Sequence, residues 1–361
     1  MKYIDEFRNA GLIKTIKNKI FSIYSEDKLN FMEVCGGHTH AICKFGIRDL
    51  IPEGINLISG PGCPVCVTEN SYIDKAIDLA RRREVIIATF GDMVKVPGSQ
   101  ASLETSGLNS KSVRVCYSSM DALELAAENQ DHEVVFLGIG FETTAPTIAA
   151  TILAAKERGI NNFSVLAGNK TMPAAMQSLL EAEDVSIDGF ICPGHVSTIT
   201  GTGIYDFIPE DYNVACVVAG FEPIDIMETI YLLIEQIKSD SPKVKNQYKR
   251  SVKPQGNTKA LKILDEVFVG CDAIWRGLGN IPGSGLKIRK KYRMFDTEQK
   301  FDIQVSSSER HQGCICGAIM RGVKKPPECQ LFGTECIPES PIGPCMVSAE
   351  GACAAYFKYK Q

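Results

Sequence analysis

Short apolar runs that alternate with helical stretches are the feature that most constrains the fold of this 361-residue chain. Between about residue 30 and residue 238, runs rich in Val, Ile and Phe are separated by segments of helical periodicity. Such an alternation predicts an α/β fold, in which parallel sheets are covered by helices on both faces. The predicted strands are 56–59, 85–89, 113–117, 134–139, 163–167, 189–192 and 214–218, and the predicted helices are 1–28, 68–82, 119–129, 145–158, 172–182 and 223–238.

A weak internal similarity and a later change in composition predict three domains. Two segments share the order strand, glycine turn, helix, strand and a closing glycine, one beginning NLISGPGCPVC and the other SVLAGNKTMPAAM. They predict two similar α/β domains, 30–130 and 131–238. After residue 238 the chain becomes polar and then rich in Gly, Pro and Cys, which predicts an irregular third domain, 239–361, held together by a metal or cluster.

Charge and hydropathy exclude several classes of function. The net charge is −4, so the chain has no basic field that would suit nucleic acid. No apolar run reaches the length of a membrane span, and the first residues lack the apolar core of a signal peptide. We therefore expect a cytoplasmic protein. There, most of its 14 cysteines would be metal ligands, redox thiols or buried apolar residues rather than structural disulfides.

The motif GPGCPVC follows a predicted strand and opens a helix, and it places Cys63 and Cys66, with two residues between them, in the first helical turn. This spacing brings two sulfurs within reach of a disulfide, and a helix N-terminus would stabilise the first thiolate. The arrangement is similar to the redox motif of thioredoxin. Half of a zinc site and an inert pair are the alternatives.

Three further residues occupy turns that could carry chemistry. In EVCGGHTH, Cys35 is followed by two glycines and two imidazoles, a donor set suited to iron or zinc, although a structural turn is the alternative. His195, in CPGHVS, follows a predicted strand, and Asp92, in FGD, has the equivalent place in the other α/β domain. Parallel sheets bind ligands at such strand ends, so both are candidate ligands or proton carriers; each could also be structural.

The carboxyl-terminal region holds six cysteines but lacks the CxxC pairs of a zinc ribbon. The last four are spaced C-x6-C-x8-C-x7-C among prolines and glycines, which suits a [4Fe–4S] cluster, with a four-cysteine zinc site as the alternative. The predicted cluster ligands are Cys329, Cys336, Cys345 and Cys353. Four other cysteines lie on apolar segments and are expected to be packing residues: Cys43, Cys116, Cys216 and Cys271.

Taken together, six motifs resemble the HypD family of hydrogenase maturation proteins, from about residue 30 to the end of the chain. They are MEVCGGHTHAICKFG, GPGCPVCVT, FGDMVKVPGS, GFETTAPTIA, CPGHVSTITG and CQLFGTECIPESPIGPCMVSAEGACAAYFKYK. The resemblance implies two α/β domains and a [4Fe–4S] domain, which we expect the N-terminal segment 1–29 to join. It also implies that Cys35 binds iron or is otherwise an essential thiol, that Cys63 and Cys66 are a redox pair, and that the last four cysteines bind the cluster.

The function implied by this resemblance is assembly of the Fe(CN)2CO centre of [NiFe] hydrogenases. In such a scaffold the chain would hold a transient Fe(II) together with a small HypC-type chaperone and receive cyanide from a HypE-type partner. Asp92 and His195 would complete the iron environment. Two alternatives are an iron–sulfur-dependent dithiol oxidoreductase, which would have no use for the Cys35 motif, and a zinc-stabilised binding module.

Overall fold

Two parallel β-sheets and a short antiparallel hairpin form the strand framework of the computed structural model, which describes residues 5–109, 111–305 and 313–360. The first sheet has five strands in the order β2-β1-β7-β8-β9, and the second has four in the order β4-β3-β5-β6. The strands are β1 Leu29–Glu33, β2 Ile55–Ser59, β3 Val85–Thr89, β4 Val113–Val115, β5 Glu133–Gly138, β6 Phe163–Ala167, β7 Gly189–Cys192, β8 Ala215–Val218, β9 Val244–Asn246, β10 Phe268–Trp275 and β11 Gly279–Ile288.

Helices cover both faces of the two sheets, as the apolar strands predict. Neighbouring residues of β1, such as Phe31 and Met32, are fully buried in two different hydrophobic cores, one on each face of the first sheet. The helices are α1 Ala10–Ile23, α2 Gly36–Lys44, α3 Asn70–Ala80, α4 Ser119–Glu128, α5 Ala145–Arg158, α6 Met172–Leu180, α7 Gly194–Thr200, α8 Phe207–Tyr212, α9 Pro223–Lys238, α10 Thr258–Val267, α11 Thr297–Lys300, α12 Cys316–Met320, α13 Pro344–Val347 and α14 Ala352–Tyr359. In the described residues, no helix is long and apolar enough to cross a membrane.

The predicted boundary near residue 130 does not match the pairing of the strands. The first sheet takes β1 and β2 from before that residue and β7 to β9 from after it, with Phe31 aligned on Gly189. The chain leaves the first sheet after β2, builds the whole second sheet from β3 to β6, and then returns. The ranges 30–130 and 131–238 therefore do not each correspond to one sheet. A local strand–helix–strand pattern does not specify which sheet receives the next strand.

The two ends of the chain also differ from the expectation. The α1 helix packs against α9 of the first sheet and does not join the cysteine-rich region. Just before these two helices, Arg8 Nη2 donates to Glu222 Oε1 at 2.9 Å. The first four residues of predicted helix 1–28 lie outside the described residues. The region after residue 238 contains helix α10 and the β10–β11 hairpin, so the irregular structure predicted for 239–361 is confined to its later part.

Candidate functional site

Three of the predicted site residues lie at the carboxyl end of the first sheet. Cys35 follows β1, the Cys63 loop follows β2, and His195 lies just after β7. The strands β2, β1 and β7 are adjacent in the sheet. Because parallel strands all end at the same edge, the sheet topology brings these segments together. The fourth predicted residue, Asp92, is exposed at the equivalent end of β3 in the second sheet.

Cys63 and Cys66 form a disulfide with a Cα–Cα distance of 5.2 Å, and the residue before it, Gly62, packs against the backbone of Cys35. The Gly36 amide donates to Gly62 O at 3.0 Å, and a Cβ at Gly62 would lie 2.2 Å from Cys35 N. Glycine at position 62 is therefore required for this close approach. The sequence placed both sulfurs in the first turn of the following helix, which was wrong: they belong to a separate turn that ends before α3 begins at Asn70.

The Cys35 side chain occupies the N-cap of α2 without a capping hydrogen bond, and Cys35 O accepts from His38 N at 2.8 Å. The residue is only 6% exposed. Burial first, and then the charge of Glu350, raise the pKa of this thiol well above its ordinary value. The thiol is therefore protonated at neutral pH. Binding of a metal to the sulfur would release a proton, which ties metal affinity to pH.

Glu350 connects the ends of the two sheets. Its backbone packs against the first turn of α2, where a Cβ at Gly36 would lie 2.3 Å from Glu350 O. Burial, followed by the charge of Asp92, raises the pKa of its carboxyl group. The Glu350 carboxyl is thus within electrostatic reach of Cys35 on the first sheet and of Asp92 on the second. No sequence motif pointed to Glu350, although its position three residues before Cys353 was a signal that could have identified it.

A second carboxyl that the sequence analysis missed lies beneath the same turn. Glu33 is 1% exposed at the end of β1, accepts from Thr39 Oγ1, and accepts from Cys35 N at 3.3 Å. Burial raises its pKa to about 8. The buried Glu33 side chain therefore holds the backbone of Cys35 in place and is hydrogen-bonded to the first turn of α2 through Thr39. A lone carboxylate at the end of an apolar strand was the signal that could have identified it.

The raised pKa of Glu33 predicts a specific loss of stability as the pH rises. Between about pH 4.5 and 8 the carboxyl is ionised in the unfolded chain but protonated in the folded chain, so the unfolded state binds fewer protons. The free energy of unfolding should fall across that window, by at most about 1.4 kcal/mol per pH unit. Thermal unfolding of the wild type and of E33Q at pH 5 and pH 8 measures this. The variant should lose less stability than the wild type, and parallel losses would contradict the prediction.

Three aromatic rings form a stack beside Cys35. The Phe221 ring lies between His38, at 4.6 Å, and His195, at 4.1 Å, and both contacts are near parallel. Glycine is required here as well, since a Cβ at Gly37 would lie 2.9 Å from the Phe221 ring. The partial burial of its ring lowers the pKa of His195, although the residue as a whole remains exposed.

His38 presents an unused lone pair within this stack. Its Nε2 is 3.2 Å from Ala219 O and 3.0 Å from Gly220 O, and because carbonyls only accept, Nε2 carries the hydrogen. Burial lowers the pKa of His38 to about 4, so the ring is neutral at pH 7. Nδ1 is buried with no hydrogen-bond partner among the described residues. A neutral imidazole with a free buried nitrogen suits a soft metal ion. The Cys-Gly-Gly-His spacing was the sequence signal for it.

All four predicted cluster ligands line one small cavity in the carboxyl-terminal region, together with Cys314 and Cys316. We call this the six-cysteine cavity. Its other walls are apolar: Ile319, Leu331, Phe332, Gly343 and Met346. The thiols around this apolar cavity fit an iron–sulfur cluster in donor type, and four of the six would be enough to bind it. In the described parts of the chain, no three Cys, His, Asp or Glu side chains already converge as a group that could hold a metal ion.

The six-cysteine cavity adjoins the disulfide. Cys66 Sγ lies 3.9 Å from Pro344 O, and the next residue, Cys345, lines the cavity. The disulfide therefore has the Cys35 turn on one side and the cavity on the other. Of the expected packing cysteines, Cys43, Cys116 and Cys216 are buried against hydrophobic neighbours, which confirms the prediction, whereas Cys271 on β10 is only partly buried.

Comparison with known proteins gives one consistent result. Residues 10–360 match the HypD family model, described as the hydrogenase formation hypA family. The chain is 46% identical to hydrogenase maturation factor HypD2 of Bradyrhizobium diazoefficiens, over 99% of this chain and 97% of that protein. It is 45% identical to the HypD factors of Rhizobium leguminosarum bv. viciae and Cupriavidus necator, over 99% of this chain and 96% and 97% of theirs.

Proposed function

This chain belongs to the HypD family of hydrogenase maturation factors, and on that premise we propose that it is a redox-active scaffold for the Fe(CN)2CO centre of [NiFe] hydrogenase. One observation carries the proposal. The Cys35 turn, the Cys63–Cys66 disulfide and the six-cysteine cavity lie in direct succession. The turn that carries a thiol able to hold iron thus contacts the loop of a two-electron redox pair, and that pair adjoins a site for an electron-carrying cluster.

In this proposal the cargo iron is held at the first turn of α2. Cys35 supplies a thiolate, an electron-rich ligand suited to low-spin Fe(II), and gives up its proton on binding. The free Nδ1 of His38 supplies a second donor. His195 and Asp92 would complete the environment from the exposed side. Because the Phe221 ring separates His195 from His38, His195 would contribute at the rim, and its loss should weaken iron binding less than loss of Cys35.

Two partner proteins complete the proposed reaction. A small HypC-type chaperone would share the iron through its own thiolate, and a HypE-type protein would deliver cyanide. We expect neither nucleic acid nor a membrane to take part.

The six-cysteine cavity is proposed to hold a [4Fe–4S] cluster through Cys329, Cys336, Cys345 and Cys353, with Cys314 and Cys316 on the same walls. When bound, such a cluster supplies electrons one at a time. The Cys63–Cys66 disulfide takes up two electrons and two protons to become a dithiol. The Cys66 amide, 3.2 Å from Cys63 Sγ, then stabilises negative charge on Cys63.

Cys63 should be the more reactive thiol of the reduced pair. It receives the Cys66 amide and is 5% exposed, against 1% for Cys66. In a C66S variant, Cys63 should therefore form a trapped mixed disulfide with a small disulfide reagent, and C63S should trap much less. Mass spectrometry of the alkylated peptides at neutral pH measures this. Faster labelling of Cys66 in the reduced wild type would contradict the assignment.

The alternative function is a cluster-dependent dithiol oxidoreductase that turns over a small molecule or a partner disulfide. It would use the disulfide and the cavity but leave the buried Cys35 and His38 turn without a role. Anaerobic co-purification with the HypC-type and HypE-type partners, followed by infrared spectroscopy, separates the two functions. CO and cyanide stretches on the complex support the scaffold. Their absence from a complex that still reduces disulfides would support the oxidoreductase.

A further inference from the structure

Arg276, in the loop between β10 and β11, is a guanidinium held in place by backbone carbonyls. Its Nε donates to Thr68 O at 2.6 Å and its Nη2 donates to Pro97 O at 2.8 Å. Its own backbone amide donates to Val67 O at 2.9 Å. The side chain is thus fixed beside the segment that follows the Cys63–Cys66 disulfide.

The charge of Arg276 has no carboxylate partner. Among the described residues it forms no ion pair, and Glu69, the carboxylate whose charge reaches it, already pairs with Lys170 at 3.2 Å. Arg276 is half-buried, and a cation that is partly withdrawn from water without an anion is costly, so a folded protein normally provides a negative group. The strongest negative influences on Arg276 would come from the thiols of Cys316, Cys345 and Cys314.

These thiols place Arg276 next to the six-cysteine cavity. Arg276 lines an outer cavity, open to solvent, whose walls also include Arg321, Cys314 and Cys316. Cys314 and Cys316 line both cavities and so separate Arg276 from the six-cysteine cavity. The guanidinium therefore lies behind two cysteine side chains, close enough to act by charge.

We propose that Arg276 is the built-in counter-charge for an anionic metal–thiolate cluster in the six-cysteine cavity, and that it raises the reduction potential of that cluster. The inference rests on the proposed function, because it requires the cluster. Thiolate ligands make a bound cluster negative, and reduction adds one more negative charge. A fixed, half-buried cation beside the cluster stabilises the reduced form more than the oxidised form. Arg276 would act through its charge and would not bind iron.

The test is a redox titration of anaerobically reconstituted protein, followed by electron paramagnetic resonance. In R276Q the ratio of reduced to oxidised cluster at a fixed potential should fall about tenfold, which is a midpoint lower by about 59 mV for one electron. R276K keeps the charge and should stay within about twofold of the wild type. The matched control is R321Q, because Arg321 lines the same cavity but already pairs with Asp184 at 2.9 Å.

Three outcomes would overturn the inference, and they are distinguishable. If R276Q holds a full cluster and its ratio of reduced to oxidised cluster stays within twofold of the wild type, the proposed role of Arg276 is wrong. The proposed cofactor is then unaffected. A tenfold shift in R276K also contradicts that role, because the charge is still present; this variant also carries the test if circular dichroism shows that R276Q does not fold. A wild type that cannot be reconstituted with an iron–sulfur cluster removes the proposed cofactor and the inference together.

Discussion

The CO and cyanide infrared bands of the complex with both partners should disappear when Cys35 is replaced by alanine. The change removes the thiolate that we propose as the anchor of the iron, at the first turn of α2. The fold and the cluster should survive, since Cys35 does not line the six-cysteine cavity. Hydrogenase from cells that carry C35A should be inactive. Infrared spectroscopy of the anaerobically purified complex is the measurement.

C43A is the matched control for C35A. Cys43 is a buried cysteine on the same helix, but it packs against Tyr356. The CO and cyanide bands of the C43A complex should keep their intensity, and those of the H195A complex should lose part of theirs. Full-intensity bands in C35A would mean that the iron is held by the partner alone, and the proposed site on this chain would be wrong.

Replacing Cys345 with alanine should remove the visible colour of the anaerobically purified protein and lower its iron content from about four atoms per chain to near zero. Cys345 is a proposed ligand at the point where the six-cysteine cavity meets the disulfide loop. The region after residue 313 has only short helices, so we expect ligand binding to contribute much of its stability. Iron analysis, absorption spectra and proteolysis of this region measure the effect.

C271A provides the control for C345A, since Cys271 lies on β10 and does not line the cavity. It should retain both colour and iron. C336A should behave like C345A. Stoichiometric zinc without iron in the wild type would contradict the cluster and favour the four-cysteine zinc site.

Local patterns were enough to place most of the elements of the two sheets. The strands 163–167 and 189–192 and the helices 145–158 and 223–238 were predicted with the bounds that the structure shows. The strand β1 was missed, because Leu29–Glu33 is interrupted by Asn30 and ends in Glu33. The β10–β11 hairpin was missed because its exposed positions break the apolar pattern. Strand order, and with it the domain division, depends on contacts far apart in sequence.

The candidate site divides in the same way. Cys35, the Cys63–Cys66 pair and the cavity cysteines belong to short motifs whose residue types indicate their chemistry. Glu33, Glu350 and Phe221 do not, because their roles depend on burial and on neighbours that only the fold supplies. The same holds for the free Nδ1 of His38, which became visible only once Nε2 was seen to face two carbonyls.

The route of the chain through the two sheets also orders events on the ribosome. The second sheet, β3 to β6, is synthesised in one stretch and can pair its strands as soon as it emerges. The first sheet cannot, since β1 must wait for β7, which is translated only after the whole second sheet. Until then the nascent chain carries Cys35 and Cys63 on a two-stranded fragment. Cys35 and Cys63, the thiols on which maturation would depend, are thus translated early, but the sheet that carries them is completed only after the second sheet.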